Sequence, residues 1–160
     1  MKLYHGSDCV IEQPDIAHSR DNLDFGRGFY LTSFEEQAER WALRKAVRKQ
    51  TTPIVNVYDF DDSHACARIR RFDDNDAAWV EFVCACRRGE APAEPYDLIV
   101  GGVADDKVFR AVDMYFRGIW DIDKTLEALR FFERNDQYCF ASQAILDDSL
   151  RFIGSYEVPR

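Results

Sequence analysis

The sequence lacks any segment that would carry it into or across a membrane. No apolar run approaches the roughly 20 residues of a transmembrane helix, and the N-terminal "MKLYHG" has none of the apolar stretch of a secretory signal. We therefore expect a cytoplasmic protein with no membrane partner, or an effector that a dedicated secretion system delivers without such a signal.

Cysteine and histidine are too few and too scattered to indicate a metal centre. The five cysteines form no Cys-x-x-Cys pair, and the three histidines stand in different contexts. A zinc site needs clustered ligands at short, regular spacing. The pattern predicts no metal and free, mostly buried thiols in a reducing compartment. The residues concerned are Cys9, Cys66, Cys84, Cys86 and Cys139, and we expect His18 and His64 to be surface residues.

The chain also lacks an excess of positive charge. Its formal net charge is −8, a field that repels nucleic acid phosphates. Two basic stretches stand out, "RKAVRK" at 44–49 and "RIRR" at 68–71. The first has the spacing of a solvated helix face, and the second can equally well be a surface turn. We therefore expect no nucleic acid partner.

What the sequence does contain is enough apolar material for one ordinary domain over residues 1–160. It is 46% hydrophobic and rich in aromatic residues, which argues against disorder. Strands are expected at both ends with helices between them, which predicts an α+β fold. The expected strands are 1–5, 29–32, 53–60, 96–102 and 150–158, and the expected helices are about 34–50, 76–88, one starting near 105, 121–134 and a short one at 142–148. Ser33 is the expected N-cap of the first helix.

The N-terminal third concentrates groups that suit a planar, sugar-bearing ligand. His5 ends the first strand and can hydrogen-bond a sugar hydroxyl. Gly6 has no side chain, so a planar amide can approach its backbone closely. Tyr30 and Trp41 offer flat faces for a cationic ring. Each residue alone is commonly structural, and their joint occurrence favours a binding site.

These residues carry a resemblance to a known superfamily. The run "YHGS", followed by a loop and "FGRGFYLTSFEEQAERWA", resembles the first half of the ADP-ribosyltransferase fold in its His–Tyr branch, the poly(ADP-ribose) polymerase-like branch. Most of the chain is also similar to a family of small, uncharacterised bacterial domains assigned to that superfamily, through "DFGRGFYLT", "YDLIVGGVADD" and "DQYCF". The resemblance implies a split β-sheet core with flanking helices.

The resemblance also implies roles for single residues. His5 would bond the 2′-hydroxyl of the nicotinamide ribose, and the backbone of Gly6 would hold the carboxamide. Tyr30 would stack on the nicotinamide ring, and Trp41 would take the place of a second stacking aromatic. The serine that usually bonds the carboxamide falls at Ala38, so that contact would pass to Gln37 or Ser7. Gly28 belongs to the Gly-x-Gly turn of the NAD site, and Arg20 would either meet the pyrophosphate or lie in solvent.

Gln137 marks a departure from the superfamily pattern. Its position, at the start of a late strand, is where a catalytic glutamate would stand. A neutral amide can bond the ribose but cannot act as a general base. Asp136, Glu133 or Asp106 would then be the candidates to provide a carboxylate. The "GGVADD" loop has two interpretations, with Asp105 as a helix cap or the loop as an acidic wall near the acceptor site.

The function implied is an NAD-dependent mono-ADP-ribosyltransferase acting as a glycosyltransferase. NAD is the co-substrate, and the acceptor is a protein or a small molecule of unspecified identity. Two alternatives stay open, an NAD glycohydrolase and a non-catalytic module that binds NAD or ADP-ribose. A further alternative, RNA 2′-phosphate transfer on a related fold, is disfavoured by the charge of −8.

Overall fold

The computed structural model describes residues 1–63, 67–92, 94–104, 106–133 and 135–159, and for residues 106 and 107 it describes the backbone alone. Across these residues the chain forms seven β-strands in two sheets and five α-helices, so the predicted α+β class is confirmed. The predictions made for His64, Cys66, Asp105 and the side chain of Asp106 fall outside what is described.

The strands divide into a three-stranded and a four-stranded sheet. The seven strands are β1 (Lys2–Ser7), β2 (Phe29–Leu31), β3 (Ile54–Phe60), β4 (Ile69–Arg71), β5 (Leu98–Gly101), β6 (Gln137–Phe140) and β7 (Leu150–Glu157). The first sheet has the order β1-β3-β7 and is antiparallel, while the second has the order β2-β6-β5-β4 with β4 and β5 parallel. β1 and β2 are therefore edge strands of different sheets.

The two edge strands touch at one bridge and then separate. The backbone N–H groups of Tyr4 and Thr32 donate to each other's carbonyl oxygens, at 2.8 and 3.0 Å. One buried hydrophobic cluster draws on both sheets, with Leu3 and Tyr58 from the first and Leu98 and Phe140 from the second. This shared core fixes the sheets against each other and leaves a cleft beside the bridge.

The helices cover the sheets. They are α1 (Glu35–Lys49), α2 (Ala77–Arg87), α3 (Asp106–Phe116), α4 (Ile122–Leu129) and α5 (Gln143–Ser149), and a single 3₁₀ turn spans Ile16–His18. α1 packs on β1 and β3 around Ala38, Ala42 and Val55. α2, α3 and α4 pack together beside the second sheet.

The start of α1 differs from the prediction. Its charge pattern is as expected, with acidic residues in the first turn and basic residues in the last, which complements the helix dipole. The N-cap, however, is Phe34, which makes no side-chain cap. The Ser33 hydroxyl donates instead to the carboxylate of Asp136, and Thr32 Oγ1 accepts from the Phe34 N–H at 3.0 Å. Competition from this carboxylate explains why the local capping pattern is misleading.

The prediction of a surface turn at "RIRR" is wrong. Ile69–Arg71 forms β4 and pairs in parallel with β5, so that Ile69 lies opposite Leu98. The Arg68 N–H donates to the Asp97 carboxylate at 2.8 Å, which secures the start of the strand. A three-residue strand paired with a distant partner leaves too short a pattern to recognise locally.

Candidate functional site

A large cavity lies in the cleft between the two sheets. Its volume is about 1040 Å³, at the upper end of the roughly 300–1,000 Å³ typical of small-molecule sites. Its walls come from β1, β2, β6, α1 and the loop that follows β1. Of the predicted site residues, the cavity is lined by His5, Ser7, Arg20, Gly28, Tyr30, Trp41 and Gln137.

His5 is held by a hydrogen bond at one ring nitrogen and by stacking of its ring. Its Nδ1 lies 2.6 Å from the Tyr30 carbonyl oxygen, and its ring stacks on Phe29 with centroids 4.4 Å apart. Burial lowers the pKa of His5 to about 4, so the ring is neutral at pH 7. A carbonyl can only accept, so we assign the single proton to Nδ1, which leaves Nε2 as an acceptor.

Gly6 differs from the other predicted residues because it is buried and does not line the cavity. A Cβ atom on Gly6 would lie 2.1 Å from the Ala38 carbonyl oxygen and 2.7 Å from the Ala42 nitrogen. The glycine is therefore required by the close approach of α1. The backbone N–H and C=O of Tyr4 bond to Thr32 and so point away from β3. Backbone groups two residues apart in a strand point to the same side, so the N–H and C=O of Gly6 also face the open edge of β1.

The side chain of Tyr30 is fixed by two hydrogen bonds at its hydroxyl. Its hydroxyl donates to the Gly26 carbonyl at 2.6 Å and accepts from the Phe25 N–H at 3.0 Å. Burial is the main cause that raises the pKa of this phenol. The ring therefore presents a rigid aromatic wall to the cavity.

Trp41 and Ser7 complete the wall beneath α1. Trp41 is half-buried on the helix face that packs against Gly6, and its Cβ is one of the atoms that would obstruct a side chain there. Ser7 is 1% exposed, and its hydroxyl accepts from Lys45 Nζ at 3.5 Å. Gln37 does not line the cavity, since its Nε2 donates to the Asp136 carbonyl at 2.8 Å. Ser7 is therefore the better placed of the two expected substitutes for the missing serine.

Gln137 is buried at the start of β6. Its Nε2 donates to the Gly102 carbonyl at 3.1 Å and lies 3.5 Å from Asp24 Oδ2. Asp24 also lines the cavity and pairs with Arg87 at 2.7 Å. Its second oxygen accepts from the Ala104 N–H at 3.3 Å. The carboxylate beside Gln137 is therefore Asp24, which sequence reasoning missed although it begins the "DFGRGFY" run.

The carboxylates proposed from the sequence lie elsewhere. Both oxygens of Asp136 accept hydrogen bonds from Thr32 and Ser33. Asp136 lines a second cavity, of about 580 Å³, and does not line the first. Glu133 is exposed and lines neither cavity. Neither residue is placed to serve as the base beside Gln137.

The basic end of α1 also lines the cavity, which corrects the interpretation of "RKAVRK" as a merely solvated face. Lys45, Arg48 and Lys49 contribute to the wall together with Arg20. Lys45 is half-buried, and burial lowers the pKa of its ammonium. Asp8 offsets part of this charge, because it lies 2.9 Å from Lys49 and 3.8 Å from Lys45.

Gly28 is required by packing. A Cβ there would lie 2.5 Å from Cys139 Sγ and 2.6 Å from the Phe140 carbonyl oxygen. The Gly28 N–H donates to Ser19 Oγ at 3.0 Å, which joins the loop after β1 to the start of β2. Arg20, which follows Ser19, is exposed at the mouth of the cavity.

The residues that the structure describes show neither a metal-binding cluster nor a membrane span. No group of three or more histidine, cysteine or acidic side chains is placed there to hold a metal ion. None of the helices in the same part of the chain has the length and apolar character needed to cross a membrane. Four cysteines are described as free thiols, with Cys9 exposed and Cys84, Cys86 and Cys139 buried.

Comparison with known proteins identifies the family. No curated protein and no solved structure matches the chain. A family model described as "Protein of unknown function (DUF3990)" matches residues 1–152, a range that includes every cavity-lining residue described above. The chain therefore belongs to the DUF3990 family of proteins of unknown function.

Proposed function

We propose that this protein is an NAD-dependent mono-ADP-ribosyltransferase, which cleaves the bond between nicotinamide and ribose and passes one ADP-ribose unit to a protein or small-molecule acceptor. The observation that carries the proposal is the convergence of His5, Tyr30, Trp41 and Gln137 on one cavity. These residues come from four different elements. They are also the residues for which the sequence resemblance implies contacts to the nicotinamide riboside half of NAD.

The state of His5 supports a hydroxyl-bearing ligand. With its proton on Nδ1 and bonded to Tyr30, the neutral ring keeps Nε2 as an acceptor, and His5 lines the cavity. A ribose hydroxyl is a matching donor. A protonated His5 would lose this acceptor, so the low pKa preserves the function at neutral pH.

The basic residues support an anionic portion of the ligand. Arg20, Lys45 and Arg48 line the same cavity as the aromatic wall. Guanidinium and ammonium groups bind phosphate oxygens through charge-assisted hydrogen bonds. The same cavity is also lined by acidic residues, and Asp8 already pairs with Lys45 and Lys49. Arg20 and Arg48 are therefore the groups assigned to a dinucleotide pyrophosphate.

The reaction itself asks little acid–base chemistry of the protein. The electron pair of the C–N bond leaves with nicotinamide, which becomes neutral, while the ribose passes through an oxocarbenium-like transition state. A lone pair of the acceptor then forms the new bond to C1′, and the acceptor's proton passes to water. Positioning and hydrogen bonds to the ribose are the main contributions such a site makes.

Gln137 favours a single transfer over chain extension. Extending a chain needs a sugar hydroxyl activated by a base, and a neutral amide cannot remove that proton. With water as the acceptor, the same site would act as an NAD glycohydrolase. Free ADP-ribose without labelled protein would identify that activity.

Incubation with labelled NAD and a cell lysate tests the proposal. We expect nicotinamide release together with label on a protein or small molecule, and both should be lost in Tyr30→Ala. No release and no transfer by the wild-type protein would rule the enzymatic proposal out.

NAD binding can be followed separately by tryptophan fluorescence. Nicotinamide stacked near Trp41 should quench its emission, and the quenching should disappear in Trp41→Phe. Trp120→Phe is the matched control, because Trp120 lies outside the cavity beside Lys124. Loss of quenching in the control and not in Trp41→Phe would contradict the placement.

A second candidate is a non-catalytic module that binds NAD or ADP-ribose. The buried Gln137 amide, in place of an acid, is the observation that favours it. The tryptophan fluorescence of such a module would be quenched when NAD is added, and no nicotinamide would be released even over a long incubation.

A further inference from the structure

The hydrogen bonds around Gln137 determine which way its side-chain amide faces. Both groups next to Nε2, the Gly102 carbonyl and the Asp24 carboxylate, can only accept. Exchanging the amide's nitrogen and oxygen would place an oxygen against two other oxygens. The NH₂ group therefore faces Asp24 and Gly102, and Oε1 is the polar atom left for the cavity that Gln137 lines.

Asp24 is itself firmly held. One of its oxygens accepts from Nε and Nη2 of Arg87, at 3.1 and 2.7 Å, and the other accepts from the Ala104 N–H. The carboxylate and guanidinium side chains are only 18% and 12% exposed. With the Gln137 amide, four donors therefore surround an ionised carboxylate on this side of the cavity.

We infer that Asp24 is a positioning residue for Gln137, and that this site is built for glutamine and disfavours an ionised glutamate at position 137. Asp24 carries the negative charge, while Gln137 presents a neutral acceptor oxygen to a hydroxyl of the ligand. The orientation follows from the protein alone, whereas its use on the ribose rests on the proposed function.

Replacement of Gln137 by glutamate tests this inference without any ligand. The new carboxylate would face the Gly102 carbonyl and the Asp24 carboxylate, with Arg87 behind Asp24 as the nearby cation. Repulsion between like charges favours the protonated acid, so its pKa should rise well above the ordinary value of about 4.3. Selective ¹³C labelling of glutamate and an NMR titration would measure it directly.

Two further variants make the interpretation specific. In Gln137→Glu combined with Asp24→Asn, the like charge is removed, so the pKa of the introduced carboxyl group should fall relative to the single variant. Gln137→Met keeps the shape of the side chain without a titratable group and should show no such transition. An ordinary pKa in the single variant, unchanged by Asp24→Asn, would overturn the inference.

Ligand binding supplies an independent readout. Gln137→Glu should bind NAD roughly tenfold more weakly than the wild type near pH 8, and recover as acidification protonates the new acid. Gln137→Met should bind weakly at every pH, because it lacks the acceptor. If Gln137→Glu and the wild type bind NAD equally well near pH 8 and after acidification, the positioning role is overturned.

These experiments separate the inference from the proposed function. A raised pKa of the introduced acid, in a protein that does not bind NAD, would retain the Asp24–Gln137 pairing and reject NAD as the ligand. NAD binding by the wild type, together with an ordinary pKa in Gln137→Glu, would retain the function and reject the pairing.

Discussion

Two groups of residues lie at the large cavity, the His5 end and the Gln137 end. Each group holds a polar side chain by a hydrogen bond to a backbone carbonyl, and the two groups differ in the second contact. At the His5 end (His5, Phe29 and Tyr30), Nδ1 donates to a backbone carbonyl and the ring stacks on an aromatic neighbour. At the Gln137 end (Asp24, Gly102 and Gln137), Nε2 also donates to a backbone carbonyl but meets an ionised carboxylate as well. Both ends therefore offer a neutral acceptor to the cavity.

The difference lies in what keeps each acceptor neutral and oriented. His5 is neutral because burial disfavours its cation, so its state depends on pH. Gln137 has no titratable proton, and its orientation depends on the charge of Asp24 and its partner Arg87. Acid should therefore disturb the first end before the second, and substitution of Asp24 or Arg87 should disturb the second end more than the first.

The largest effect expected comes from adding one methyl group near each end. In Gly6→Ala the new Cβ would lie 2.1 Å from a backbone oxygen of α1, which cannot move without shifting the helix. In Gly101→Ala, opposite Gln137 in the sheet, the nearest atom is Phe25 Cζ at 3.0 Å, a side-chain atom that can adjust. We expect Gly6→Ala to lower the free energy of unfolding by about 3 kcal/mol or more, and Gly101→Ala by about 1 kcal/mol. Urea unfolding would measure both, and equal losses would contradict this contrast.

The next effect concerns the titration of His5. Its pKa is about 4 in the folded protein and about 6.5 when unfolded, so between these values the unfolded chain binds the extra proton. Neutral His5 therefore makes its full contribution to the free energy of unfolding above about pH 6.5. This contribution is lost as the pH falls toward 4. We expect the wild type to lose up to about 3 kcal/mol relative to His5→Gln across this interval. Chemical unfolding at several pH values would measure it.

His18→Gln provides the control for that experiment, because the His18 side chain is 87% exposed. It should follow the wild type at every pH. A constant difference between the wild type and His5→Gln from pH 7 to pH 4 would show that His5 is not buried as a neutral ring.

The two ends also differ in how far they could be predicted from the sequence. His5 and Tyr30 belong to short motifs near each other in the chain, so the pattern identified them together. Asp24 and Arg87 are 63 positions apart, and the contact of Asp24 with Gln137 depends on how β6 packs beside the loop before β2. No local pattern contains that information.

The basic residues of α1 illustrate a related limit. Helical periodicity correctly indicated a polar face at Lys45 and Arg48, but a polar face can meet either bulk solvent or the wall of a cavity. The polar face of α1 lines a cavity because β1 and the loop after it close the other side of the cleft. The overall α+β class was predictable because it depends on apolar patterns that each strand and helix carries by itself.

A smaller effect is expected from a substitution that separates the two roles of Tyr30, the ring as a cavity wall and the hydroxyl as an anchor to the backbone. Tyr30→Phe keeps the ring but removes the hydroxyl that bonds Gly26 and Phe25. We expect a loss of about 1–2 kcal/mol in the free energy of unfolding, because two backbone groups lose their partner. NAD affinity by fluorescence titration should change little, whereas Tyr30→Ala should abolish binding. A large loss of affinity in Tyr30→Phe would show that the hydroxyl, and not the ring, contacts the ligand.

The smallest effect expected is at the exposed basic residues that line the cavity, Arg20 and Arg48. Arg20→Gln and Arg48→Gln should each weaken NAD binding by roughly two- to fivefold, because exposed cations interact with phosphate through solvent that screens them. The loss should shrink as salt is raised, and binding of nicotinamide alone, which has no phosphate, should be unaffected. Arg40→Gln is the matched control, since Arg40 lies on the same helix outside the cavity. If the control weakens NAD binding equally, the attraction belongs to the whole charged surface and Arg20 and Arg48 form no phosphate subsite.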